Sequence, residues 1–202
     1  MANFDMDWGS IAAPGTGSGV DYVKFTPGTK QILRIVGKPS KIESHWEKDA
    51  MGKSKRVICL GVECPICKVG QVPTSRYQVL VIDRADKKVK ILEGGSQIFN
   101  AIKGYAMDSE YGNPMQYDIR ITREGAGRET KYTVIPSPNK SDVTDEEKEL
   151  IKNSKSIEDL NKPKTVDEIM GLGLVCLADN DDFNVSAPSK SSELSDSDWG
   201  EL

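Results

Sequence analysis

The stretch from His45 to Cys67, HWEKDAMGKSKRVICLGVECPIC, constrains this chain more than any other. It sets one imidazole and three thiols at H-x13-C-x4-C-x2-C, in a sequence with no other histidine and one further cysteine, Cys176. Two cysteines separated by two residues let a tight turn present both sulfurs to one ion. His45, Cys59, Cys64 and Cys67 therefore read as metal ligands. Three thiolates and a neutral imidazole fill a tetrahedron and leave no position for water, so the expected cofactor is one structural Zn2+. A redox C-x-x-C pair, or four reduced side chains that never meet, are the rival readings of the same inventory. Cys176, within GLGLVCLA, reads as a buried small hydrophobe.

Such a clip presupposes something to steady. At 202 residues the chain suffices for one good core with appended segments. No run of 18 apolar residues occurs, so no membrane-spanning helix is expected. Few cysteines, three of them in a metal pattern, point to a reducing compartment. Charge is distributed unevenly along the sequence. Residues 20–138 carry 20 Lys and Arg against 13 Asp and Glu, whereas residues 179–202 carry one base against seven acids. A basic body with an acidic tail is a pattern that points toward nucleic acid.

The body reads as successive strands. QILRIV (31–36) and KIESHWE (41–47) flank Gly37 and Pro39 and predict one long strand broken by a bend. KRVICL (55–60) leads into the metal turn. RYQVLVID and KKVKIL, joined by Arg84, Ala85 and Asp86, predict a hairpin. Ile98, Ile102 and Tyr105 then recur at helical spacing, with Ser96 as the expected N-cap. QYDIRITRE and ETKYTVIP form a second hairpin closed through Gly125 and Gly127. The predicted fold class is mainly β with short helices. The order of long strand, hairpin, helix and hairpin is that of an OB-fold barrel, here with an inserted zinc-binding turn.

The expected organisation is a flexible arm over residues 1–19, an OB-fold core over 20–138 with its zinc subdomain at 45–67, a helical C-terminal extension over 139–178, and a disordered acidic tail over 179–202. Thr144 is the expected cap of a helix within 141–160, and a second short helix follows Pro163.

A basic barrel that holds a single strand combines cations for the backbone with aromatic platforms for bases. Strand alternation points Lys88, Lys90, Arg120 and Lys131 outward. Arg34, Arg56, Arg76, Arg84 and Arg123 lie nearby on strands or turns, and Trp46 and Tyr111 rank first as stacking residues. Tyr77, Tyr105, Tyr117 and Tyr132 share apolar faces and read as core. In the tail, SDSDWGEL offers Trp199 and Leu202 as anchors for a partner protein. DMDWGS near the start echoes DSDWGE near the end and marks a candidate docking motif around Trp8.

A basic, OB-like body with an inserted His-Cys-Cys-Cys site, a helix and an acidic tail resembles the phage single-stranded-DNA-binding proteins of the T-even helix-destabilising type. The resemblance implies sequence-independent coating of single-stranded DNA during phage replication, recombination and repair, without enzymatic activity, in the cytoplasm of the infected bacterium. It also implies self-association along DNA and recruitment of replication and recombination proteins by the tail. Two other readings stay open. One is a zinc-ribbon protein-interaction factor of a replication or transcription complex. The other is a zinc nucleobase deaminase, whose H-x-E and C-x-x-C halves are echoed by His45-Trp46-Glu47 and Cys64 to Cys67.

Overall fold

A computed structural model describes residues 21–178. The expected arm and acidic tail, with Trp8, Trp199 and Leu202, lie outside the described residues. The strands are β1 (Asp21–Tyr22), β2 (Lys30–Ile35), β3 (Ser40–Lys48), β4 (Ser54–Ile58), β5 (Thr74–Asp83), β6 (Lys88–Gly94), β7 (Tyr117–Glu124) and β8 (Lys131–Lys140). The helices are α1 (Pro65–Lys68), α2 (Ser96–Met107), α3 (Asp145–Lys152), α4 (Ile157–Leu160), α5 (Val166–Met170) and α6 (Val175–Ala178). The chain is mainly β with short helices, as its alternation of apolar and polar residues predicts.

The sheet runs β1-β6-β5-β2-β7-β8, with β3 paired to both β4 and β5. β2 and β3 are two halves of one bent path. Leu33 to Ile35 pair with one end of β5, and Ser40 to Ser44 pair with the other. This is the long broken strand that Gly37 and Pro39 predict. With α2 between the β5–β6 and β7–β8 hairpins, the arrangement is compatible with an OB-like fold. The expected barrel, however, does not close among the described residues: β8 bonds to β7 alone and β1 to β6 alone. α2 packs against β5, β6 and β8. Its Tyr105 hydroxyl donates to the Val134 carbonyl of β8 at 3.2 Å. Pro136 and Pro138 are tolerated on β8 because it is an edge strand.

Alternation gives the sheet two faces. Leu33, Ile35, Val79, Val81, Leu92, Ile119 and Ile121 pack with Ile98, Phe99 and Ile102 of α2 to form the main core. The other face would expose Arg34, Ile82 and Ile91, yet all three are buried. The C-terminal extension covers them, with α3 against β6 and α4 against β5. A capping box sets the start of α3, Thr144 and Glu147 satisfying each other's backbone N–H groups. The helix expected within 141–160 is two helices, since Ser156 caps α4 separately. Ser96 is not a cap: Gly95 occupies that position and Ser96 is the first helical residue.

A second cluster joins Val57, Cys64 and Ile66 of the metal turn to Ile169 and Leu174 of the extension. The extension and the metal turn are thus packed together, and Leu174 also bridges to Asp49 beyond β3. Gly125 closes the second hairpin with φ of +71°, and a Cβ there would lie 2.5 Å from the Glu129 carbonyl oxygen, so no other residue fits. No helix among the described residues is long and apolar enough to cross a membrane.

Candidate metal centre and nucleic-acid interface

The β3–β4 ribbon is two-sided. His45 and Val57 are paired in register and point one way, while Trp46 and Arg56, the next pair, point the other. On the first side β3 delivers His45, the chain leaving β4 delivers Cys59, and α1 delivers Cys67 one turn after Cys64, with Pro65 at its first position. His45 and Cys64 are 2% and 0% exposed. His45 Nε2 lies 3.5 Å from Cys64 Sγ and 3.4 Å from Cys67 Sγ, and the Cys59 and Cys67 sulfurs are 3.5 Å apart. All four ligand atoms fall within 4.8 Å of one another. A tetrahedron with metal–sulfur and metal–nitrogen bonds of about 2.3 and 2.05 Å has edges of about 3.8 Å (S···S) and 3.5 Å (N···S). The quartet therefore fits a metal ion of that size.

Electrostatics agree. Burial alone would raise the Cys64 thiol, but backbone hydrogen bonds from Leu60, Cys67 and Ile66 outweigh it and hold it below its ordinary value. Burial and the neighbouring Cys59 and Cys64 sulfurs push Cys67 up to about 12. Three crowded sulfurs cannot all ionise unaided, and a dication removes that conflict. Burial lowers His45, which favours the neutral imidazole a metal needs. Its Nδ1 is buried without a hydrogen-bond partner among the described residues. The N–H of Gly61, at φ of +64°, donates to Cys59 Sγ at 3.4 Å. Cys176 is half-buried against the same cluster, where burial and Glu47 push its thiol up to about 11.

On the reverse side Trp46 is 61% exposed. Its cross-strand partner Arg56 donates to the Tyr22 hydroxyl and to Ser44 Oγ, both at 3.4 Å, and lies 3.4 Å from Glu93. Arg76, exposed on β5, pairs in register with Ile42, and that parity puts it on the same face as Trp46. A recess of about 200 Å³ next to Arg56 is edged by Lys162 and Lys164 of the extension. The sequence reading misses those two lysines and Tyr22. Their only signal is Lys162-Pro163-Lys164 between two helices, in a segment whose net charge is negative.

Other expected contacts are elsewhere. Arg34 is 1% exposed and donates to Asp118 Oδ1 at 2.7 Å and to the Ser141 carbonyl and hydroxyl at 2.8 and 2.9 Å. It is a structural arginine, not a surface contact, because the extension covers its face. Arg84 is half-buried and held by Asp118 and Glu147, which ties α3 to the sheet. Lys90 is paired at 2.7 Å to both Asp83 and Asp86. Tyr111 is not a free platform: it packs edge-on to Tyr105 and Tyr117 at ring separations of 5.4 and 5.8 Å. Arg123 donates to the Phe25 carbonyl at 3.0 Å. Lys88 is exposed at the β5–β6 turn. Arg120 and Lys131 are exposed on the β7–β8 hairpin, Arg120 standing in register between Ile32 and Ile135. Trp46, Arg56 and Arg76 are thus gathered on one face, and Arg120 and Lys131 lie apart from them.

No family model matches this sequence, and no solved structure matches it. The chain is similar, at 24% identity over 152 residues, to a protein of Escherichia phage T5 described as "Probable ssDNA-binding protein", a match that takes in 63% of this chain and 58% of that protein's length.

Proposed function

We propose that this chain is a non-catalytic, sequence-independent single-stranded-DNA-binding protein of a bacteriophage. The observation that carries the reading is the exposed Trp46, standing beside Arg56 on the face opposite the metal quartet, in a chain similar to a phage protein described as a probable ssDNA-binding protein. A base stacks on Trp46, and Arg56, Arg76, Lys162 and Lys164 receive the neighbouring phosphates. Arg120, Lys131 and Lys88 extend the cationic track. Arg34, Arg84 and Tyr111 are left out of it, since each is engaged in packing or ion pairs, and Arg56, Lys90 and Arg123 contribute by exchanging present partners, for Arg56 the Glu93 carboxylate. His45, Cys59, Cys64 and Cys67 hold one zinc ion whose role is to order the β3–β4 ribbon.

The protein coats single strands in phage replication, recombination and repair. The tail over residues 179–202 competes with DNA for the cationic track and recruits partner proteins through Trp199 and Leu202. Four protein ligands and the strand setting of His45 and Glu47 count against a deaminase, which needs an open metal position for water.

The test is a tryptophan-fluorescence titration of the full chain with single-stranded and duplex oligonucleotides of mixed sequence across a salt series. Quenching by single strands with a steep salt slope is expected. Trp46→Ala should weaken binding by the worth of one stacked base, about 1–3 kcal/mol. Equal or absent response to the two nucleic acids would refute the reading and favour the zinc-ribbon alternative.

A further inference from the structure

On the α2 side of the sheet, remote from Trp46, a groove of about 400 Å³ runs between α2 and the bend joining β2 to β3. Val79 lies on its floor, and Phe99, Ile102 and Ala106 form the helical wall. Among the described residues two charged side chains line it, Lys38 and Lys103, with no acid opposite. Both lysines are exposed, and neither makes a side-chain hydrogen bond or ion pair among the described residues. An apolar slot with two unneutralised cations at its rim suits a large apolar side chain flanked by carboxylates.

The chain carries that ligand. Asp5-x-Asp7-Trp8-Gly9 and Asp196-x-Asp198-Trp199-Gly200 repeat one acid-flanked tryptophan motif, using two of the three tryptophans in the sequence. We propose that the first copy, Asp5 to Gly9, docks in cis with the Trp8 indole in this groove and Asp5 and Asp7 against Lys38 and Lys103.

Reach favours that copy. Tyr22 pairs with Ile91, Ile91 with Leu80, and the Val36 N–H donates to the Leu80 carbonyl beside Gly37, which lines the groove. Three strand spacings, about 14 Å, therefore separate the start of β1 from the groove's edge. Twelve residues lie between Trp8 and Asp21. Twelve residues can span at most about 40 Å, well beyond that gap. The other end of the described chain is farther from the groove, because Leu174 sits just before α6 and bridges to Asp49, the far end of β3 from Pro39, about 30 Å along the strand.

The test uses the full chain with Trp46→Phe and Trp199→Phe, leaving Trp8 as its sole indole. Trp8 emission should be blue-shifted and shielded from acrylamide, independently of protein concentration. Lys38→Glu with Lys103→Glu, both on exposed side chains, should abolish the shielding. In parallel, a fluorescein-labelled peptide of residues 3–11 should bind the Trp8→Ala chain, and bind the same chain with both lysines reversed about tenfold more weakly. Solvent-exposed Trp8 emission unaffected by the lysine reversals would overturn the proposal. So would shielding of Trp199 instead of Trp8 in the Trp8→Phe, Trp46→Phe chain, which would hand the groove to the C-terminal copy. Shielding that appears only on raising protein concentration would make the contact intermolecular and equally refute docking in cis. Failure of the peptide to bind, with loss of oligonucleotide affinity on lysine reversal, would reassign the groove to nucleic acid.

Discussion

Replacing Arg34 by Met tests the finding that the extension converts a strand arginine into a structural one. The guanidinium is 1% exposed and makes three hydrogen bonds, to Asp118, the Ser141 carbonyl and the Ser141 hydroxyl, at 2.7 to 2.9 Å. Breaking a buried ion pair usually costs about 3–5 kcal/mol, because a bare charge stays behind. Here the cost should be smaller. Asp118 is 27% exposed and keeps Arg84 at 3.0 Å, so its carboxylate remains paired. What is lost are the donors to Ser141 and one charge-assisted bond, together about 2–3 kcal/mol. For a domain of this size that lowers Tm by about 5–10 °C. The assay is a thermal melt followed by circular dichroism, paired with single-strand affinity measured well below the transition, where the variant is folded. Stability should fall and affinity should hold. An unchanged melt, with the salt slope of binding reduced by about one, would mean that Arg34 reaches a phosphate, and the assignment would be wrong.

Cys67→Ser, or chelation, should depress the melt first and weaken single-strand binding only as the fold loosens; abolished binding in a fully folded, metal-free protein would contradict a structural role. Leu174→Ala removes a side chain 1% exposed in the cluster shared by the metal turn and the extension, and should cost about 2–5 kcal/mol and speed metal transfer to a chromophoric chelator. Unchanged melting and metal retention would show that the two segments are not energetically joined. For Glu147, burial pushes the carboxyl up, but the Thr144 N–H and the Arg84 guanidinium outweigh it and hold it below its ordinary 4.5. Its contribution is therefore complete above that value and lost as pH falls through the depressed one, so melts between neutral pH and about pH 3 should show a shallower acid loss in Glu147→Gln than in the parent.

Features set by neighbours in sequence were legible without coordinates. The β5–β6 hairpin follows from strict alternation around Arg84 to Asp86, and the capping boxes at Thr144 and Thr165 follow from a hydroxyl three residues before a glutamate. The metal quartet could be named from ligand type and spacing, and its four atoms do converge. Alternation assigns residues to a face but cannot say whether that face meets solvent. Alternation therefore leaves Arg34 and Arg84 on a nominally open face, whereas α3 and α4, from more than 60 residues downstream, cover it, and neither helix is apolar enough to announce a sheet-covering role. The packing of Tyr111 on Tyr105 and Tyr117 has no sequence period to announce it, because its loop folds back on them. Lys162 and Lys164 escaped notice because the signal of their position is Arg56, over 100 residues earlier in the chain.

The two-sidedness of the β3–β4 ribbon also gives a reason for a candidate metal quartet to sit behind Trp46, the residue proposed to stack on a base, without touching it. Side chains alternate with a period of two, so a slip of one residue between β3 and β4 would exchange their faces. Trp46 would turn inward and His45 outward. β4 has only five residues, and the ribbon ends in the exposed Met51–Gly52 turn, so hairpin pairing alone holds the register weakly. His45 stands within β3 and Cys59 one residue beyond β4, and both address the same quartet. An ion bound there fixes one strand against the other at a single register, the one that presents Trp46 and Arg56 together. Affinity for a single strand should then depend on the metal through the orientation of Trp46, and a covalent substitute for the register lock should make binding independent of it. An engineered disulfide across a non-ligand β3–β4 pair, such as Glu47→Cys with Lys55→Cys, which are in register, should preserve single-strand binding after chelation. Loss of binding in that cross-linked, metal-free protein would show that the ion does more than hold the register.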